Sequence, residues 1–94
     1  MDKKQLFVLT QDYVLRSGHH CLTVIGVYDV ENISEAYDNR RETIFECFGE
    51  LQGRCEWENK PAGDPSFGEH YYFDDGERVT LCARAYSLNH HIDY

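Results

Sequence analysis

Residues 32–51, NISEAYDNRRETIFECFGEL, decide the reading of this chain. Wound at 3.6 residues per turn, they place Ile33, Ala36, Tyr37, Ile44, Cys47, Phe48 and Leu51 on one stripe. That spacing is the mark of a helix laying one apolar side on a core. Asn32 stands where an N-cap belongs, Glu35 three residues on completes a capping-box pattern, and Gly53 suits the left-handed stop. The expectation is a single helix over 32–51. Arg40 interrupts the apolar stripe, either reaching past the sheet edge or pairing with a carboxylate.

The other side of that helix is acidic. Asp38, Glu42, Glu46 and Glu50 recur at steps of four and form one ridge. Like charges at that spacing cost a helix a few tenths of a kcal/mol per pair. Two readings are open: a solvated face that happens to be acidic, or a ridge on which a basic partner docks.

Outward from the helix, the chain alternates strands and turns. Residues 5–15, QLFVLTQDYVL, and 21–30, CLTVIGVYDV, flank the glycine turn RSGHH and predict a β-hairpin. Both runs are apolar on both faces, which suggests central strands or a sheet covered on its second side. Residues 52–67 are broken by Gly53, Pro61, Gly63 and Pro65 and predict a long loop, in which 54–58 can add a short strand. Residues 69–73 and 78–88 flank Asp74-Asp75-Gly76-Glu77, a strong hairpin signal. In the last run Val79, Leu81, Ala83 and Ala85 alternate with Arg78, Thr80, Cys82, Arg84 and Tyr86, giving one core face and one bearing Tyr and Arg. Residues 89–94 look like a frayed tail. The expected fold is α+β: two antiparallel hairpins in one sheet with the helix on one face, in the order ββαββ, the first and last strands central.

Ninety-four residues make one domain, 1–94, with a modest core. At 41% hydrophobic residues the composition is that of a folded chain, and no run approaches the roughly 20 apolar residues of a membrane span. The N-terminus lacks the pattern of a signal peptide, so a cytoplasmic location with reduced Cys21, Cys47, Cys55 and Cys82 is expected. The formal charge of −8 lies wholly in residues 31–94, which hold six bases and fourteen acids, against three of each in residues 1–30. Such a surface repels nucleic acid and anionic membrane and attracts basic protein.

The chemistry-bearing residues form no recognisable motif. Five His and four Cys invite a metal reading, yet no pair has the spacing of a structural zinc site. His19-His20-Cys21 and His90-His91 would have to converge from opposite ends of the chain. His20 and Cys21 adjoin along a strand and so face opposite ways, which removes a direct base–nucleophile pair. No nucleophile elbow, phosphate loop or dinucleotide fingerprint is present. No enzyme, no cofactor and no metal are expected.

What remains is aromatic. The chain has seven tyrosines, and Tyr71 or Tyr72, with Tyr86, falls on the sheet face away from the helix if the helix covers only one. An open aromatic face is a dimer or partner surface, or simply ordinary cross-strand pairing. Trp57, the sole tryptophan, is either a lid folded over the helix end or an exposed anchor. In size, acidity and ββαββ order the chain resembles the small accessory proteins of phages and mobile elements, among them the anti-CRISPR inhibitors; the resemblance rests on no motif and assigns no residue roles. It implies a non-enzymatic inhibitor that occupies the basic, nucleic-acid-binding surface of a partner protein. The partner-binding candidates are Asp38, Glu42, Glu46, Glu50, Trp57, Tyr72, Asp74, Asp75, Glu77 and Tyr86. The alternatives are a self-associating subunit, such as a homodimer, that uses the tyrosine face, and a His/Cys metal-binding protein.

Overall fold

The computed structural model describes residues 5–57, 63–74 and 76–87. In chain order they form β1 (Gln5–Val14), β2 (His20–Asp29), α1 (Ile33–Cys47), β3 (Leu51–Glu56), β4 (Phe67–Phe73) and β5 (Arg78–Ser87). The class is α+β, as the sequence predicts, but the single antiparallel sheet has five strands in the order β2-β1-β5-β4-β3. Two hairpins are thus not the whole sheet. β1 and β5 pair along their full length, from Gln5↔Ser87 to Val14↔Arg78, and β5 is the middle strand.

The extra strand, β3, falls in the segment whose glycines and prolines predict a long loop. Gln52, Gly53, Arg54 and Glu56 are weak strand formers, so pairing rather than propensity makes them a strand. Arg54 lies opposite Tyr71 and Glu56 opposite Glu69, and the Trp57 N–H donates to the Gly68 carbonyl at 2.9 Å. Both glycine turns form as predicted, with Gly18 and Gly76 at φ +94° and +86°. The two-sided apolar pattern of β2 misleads: it is an edge strand, and its outer-face Leu22, Val24 and Val27 are exposed.

The helix is shorter than its sequence pattern. It ends at Cys47, and Phe48 turns extended while its N–H bonds the Ile44 carbonyl. Glu50 and Leu51 therefore leave the helix, and Gly53 lies inside β3 instead of stopping it. Asn32 occupies the N-cap position without capping; its side-chain amide donates to the Asp29 carboxylate at 2.7 Å. Cys47, expected on the buried stripe, is exposed. Phe45 takes that place and meets Tyr71 edge-on, with ring centroids 5.1 Å apart.

The core is one layer between sheet and helix. Phe7 and Leu9 of β1, Tyr71 and Phe73 of β4, and Val79, Leu81 and Ala83 of β5 lie under Ile33, Tyr37 and Ile44. Phe48 stacks on Phe73 at 5.1 Å and meets Tyr13 edge-on at 4.8 Å, anchoring the C-terminal end of α1. Arg40 donates through Nε to Gln11 Oε1 at 2.7 Å, and no carboxylate pairs with it among the described residues. Among the described residues, no helix is long and apolar enough to cross a membrane.

Candidate functional site

The sheet's two faces have different chemistry, because α1 covers only one of them. On the covered face the main polar feature is Glu69, two residues before Tyr71 on β4 and so on the same side of the strand. Its carboxylate accepts from the Tyr71 hydroxyl at 2.6 Å and from Arg54 at 2.8 Å, with Arg41 at 4.0 Å. The Tyr37 hydroxyl lies 3.4 Å from that of Tyr71 and donates to the Leu81 carbonyl at 3.3 Å. Arg54 also stands over the Tyr71 ring.

This network fixes the protonation states around it. Burial opposes charge on Glu69, but hydrogen bonds from Tyr71 and Arg54 outweigh it and hold the carboxyl below its ordinary value. Burial first, then the neighbouring carboxylate and hydroxyl, pushes the Tyr71 phenol well up. Burial likewise pushes Tyr37 up to about 12. Neutral phenols beside a held carboxylate tie β3, β4 and α1 together.

A consequence follows in alkali. A phenol held neutral in the fold contributes stability that is complete below its unfolded value, near pH 10, and is lost as the pH rises through the folded value. Two of the seven tyrosines, Tyr37 and Tyr71, should therefore ionise above the usual phenol range and together with unfolding. Ultraviolet titration of phenolate alongside circular dichroism checks this; simple ionisation of all seven before any loss of structure would contradict it.

The uncovered face is read off the strand register. Successive cross-strand rows run Leu6–Tyr86, Val27–Val8–Arg84, Val24–Thr10–Cys82–Gly68 and Leu22–Asp12–Thr80–His70. A last row runs His20–Val14–Arg78–Tyr72. His70 Nδ1 lies 2.7 Å from the Thr80 hydroxyl, and His20 pairs with Asp12 at 3.2 Å. Arg84 stands 5.0 Å over the Trp57 ring. Trp57 is thus half-buried just beyond β3, its ring against Arg84 of the uncovered face, while it also lines a small pocket with Tyr37, Asp38 and Arg41 of α1. Cys82 is buried here beneath its neighbours, and that burial pushes its thiol up against the opposing pull of Arg84, which makes it a poor nucleophile.

The candidate residues divide between two surfaces. Asp38, Glu42 and Glu46 are exposed on the outer side of α1. Asp38 pairs with Arg41 at 3.0 Å, whereas Glu42 and Glu46 have no ion pair or hydrogen bond among the described residues. Glu50 belongs to the α1–β3 connection, where its carbonyl accepts from the Asp74 N–H at 2.9 Å, so it adjoins the β4–β5 turn that carries Asp74 and Glu77. The Asp74 carboxylate lies against Gly49. Tyr72 and Tyr86 are exposed on the opposite, uncovered face. Asp75 and the His90-His91 pair lie outside the described residues, and no group of three His, Cys, Asp or Glu side chains positioned for a metal occurs among those described.

Several surface features escape the sequence reading. Alternation puts Leu22 and Val24 on one face and Ile25 and Val27 on the other; a bulge at Ile25, where the β1–β2 register shifts between Leu9 and Thr10, brings Val27 onto the face of Leu22 and Val24. The Arg54–Glu69 pair requires knowing that β3 exists. Between α1 and β2 a groove of about 610 Å³ is lined by Val27, Tyr28, Asp29, Asn32, Glu35 and Arg40 among others.

Comparison with protein-family models, curated proteins and solved structures finds no match to this chain.

Proposed function

We propose that this chain is a small acidic protein-binding module whose helix side occupies a basic surface on a partner protein. One observation carries the reading: Glu42 and Glu46 stand exposed on the outer side of α1 with no partner among the described residues, although like charges at this spacing weaken the helix that bears them. Nothing in the packing of α1 requires acids there. Glu50 and Asp74 carry the same sign onward to the adjoining turn. A partner surface rich in Lys and Arg, of the kind that binds nucleic acid, has the complementary charge. Occupying it would make the chain an inhibitor, as in the anti-CRISPR proteins it resembles in size and acidity. The module performs no catalytic step and needs no cofactor.

Reversing Glu42, Glu46 and Glu50 to Lys tests the reading. The three side chains are exposed, so folding should be retained by circular dichroism. Capture of a partner from lysate should fall by roughly tenfold or more, and wild-type capture should weaken as salt is raised. Unchanged capture by the folded triple variant would sink the acidic-surface reading.

A further inference from the structure

We infer that two copies of this chain associate through their uncovered sheet faces, as a symmetric β-sandwich with both helices outside. The inference does not depend on the acidic-surface reading.

Exposed apolar area points to the face. Of six exposed large hydrophobic residues among those described, Leu22, Val24, Val27, Tyr72 and Tyr86 all lie on it. Leu22 at 69% exposure, Val24 at 61% and Val27 at 55% stand in one line along β2. A contiguous apolar surface of this sort marks an interaction site.

Charge selects the occupant. The chain carries −8 overall, yet this face does not share the excess: Asp12 stands with Arg78 and Arg84, while Asp29 at its margin is bonded to Asn32. A second copy approaching by any helix-side surface meets its own sign, whereas on this face it does not. A two-fold interface must be self-complementary, since each residue meets the image of another. With the axis across the strands at the Val24–Thr10–Cys82 row, each row meets the row equally far on the other side. Val24 then meets its own image, and Leu22 meets Val27 of the other copy. Arg78 meets Tyr86, a cation over a ring, and Arg84 lies over Thr80 with Asp12 diagonally across on the neighbouring strand.

Size agrees as well. Five strands about 4.8 Å apart and up to about 33 Å long give a face on the order of 600–800 Å² once the shorter β3 and β4 are allowed for. A standard stable interface buries about 800 Å² per partner. Sheets facing each other at about 10 Å carry the two acidic helix sides outward, separated by more than the roughly 8 Å screening length at physiological salt.

Light scattering on the full chain during size exclusion tests this. At hundreds of micromolar the expected mass is twice the 11.0 kDa of one chain. Val24→Asp should give a folded species of single mass, because Val24 is exposed in the isolated chain. Arg84→Glu should weaken the dimer at least tenfold, and adding Asp12→Arg should restore most of that loss. A wild-type chain that stays single at these concentrations overturns the proposal, and so leaves the face to another kind of partner. A dimer unchanged in Val24→Asp overturns it equally. A dimer lost in Arg84→Glu but not regained in the double variant overturns the diagonal pairing of Asp12 with Arg84 across the interface.

Discussion

Tyr71→Ala should destabilise the fold by about 3–5 kcal/mol, the range for removing a buried aromatic ring. Tyr71 is fully buried at 0% exposure on β4, against Val79 on the middle strand on one side and Arg54 on β3 on the other. Its ring meets Phe45 edge-on at 5.1 Å, and its hydroxyl donates to Glu69 at 2.6 Å. Truncation would therefore open a cavity under α1 and remove one of the donors that holds the Glu69 carboxylate. For a domain of this size a loss of that order is a large share of the total stability. Tyr71→Phe separates the two contributions: it keeps the ring, removes the hydroxyl, and should cost about 1–3 kcal/mol. It should also let the Glu69 carboxyl rise toward its ordinary value, so that Tyr71→Phe loses less stability than the wild type on acidification and completes that loss at a higher pH. The sign follows from linkage, because a carboxyl held low in the fold contributes stability above its unfolded value and loses it as pH drops through the folded one. Urea denaturation at neutral and acidic pH reads both effects. Equal costs for Ala and Phe would mean that the ring contributes little, contrary to its burial.

Tyr71 also shows what the sequence could and could not disclose. Alternation in residues 69–73 and 78–88 was enough to place a hairpin at Asp74–Glu77 and a core face at Val79, Leu81 and Ala83, because period-two patterning survives whatever else the sheet does. The helix was legible for the same reason, through Ile33, Tyr37 and Ile44. Its C-terminal end was not. Cys47 and Leu51 continue the 3.6-residue pattern, but Phe48 is drawn onto Phe73 and Tyr13, and Leu51 is needed to begin β3. Tertiary pairing decided both. β3 itself has little intrinsic strand preference, so the order of the sheet's far edge, and with it the place of Trp57, could not be read locally. The acidic outer side of α1 was visible at Asp38, Glu42 and Glu46, since exposure follows from helical geometry, but Glu50 lies beyond the helix end in the connection to β3. The uncovered face was visible only in part: alternation gives Tyr86 but leaves Tyr71 or Tyr72 open until the hairpin register is known, and Val27 joins Leu22 and Val24 only through the β-bulge at Ile25.

Gly68→Ala, a change of one methyl group, should cost about 1–3 kcal/mol, comparable with overpacking a core. Gly68 is buried on β4 opposite Cys82 of the middle strand. Its backbone is not in the left-handed region, so conformational freedom is not what glycine supplies here. Space is. A Cβ at this position would stand 2.6 Å from the Leu81 carbonyl oxygen and 3.0 Å from the Cys82 Cα, both backbone atoms that cannot turn aside. β4 and β5 would have to part locally, and the Gly68 carbonyl that accepts the Trp57 N–H would move with them. The strain therefore reaches β3, the edge strand held by that bond and by the Arg54–Glu69 pair. Gly53→Ala is the natural control, because a Cβ there has no heavy atom within 4 Å and lies on the same sheet's outermost strand. It should be neutral or stabilising by up to about 1 kcal/mol, as expected for replacing glycine within a strand. Thermal unfolding of both variants decides the matter. If Gly68→Ala unfolds no earlier than Gly53→Ala, close backbone approach between β4 and β5 is not what sets the residue at position 68.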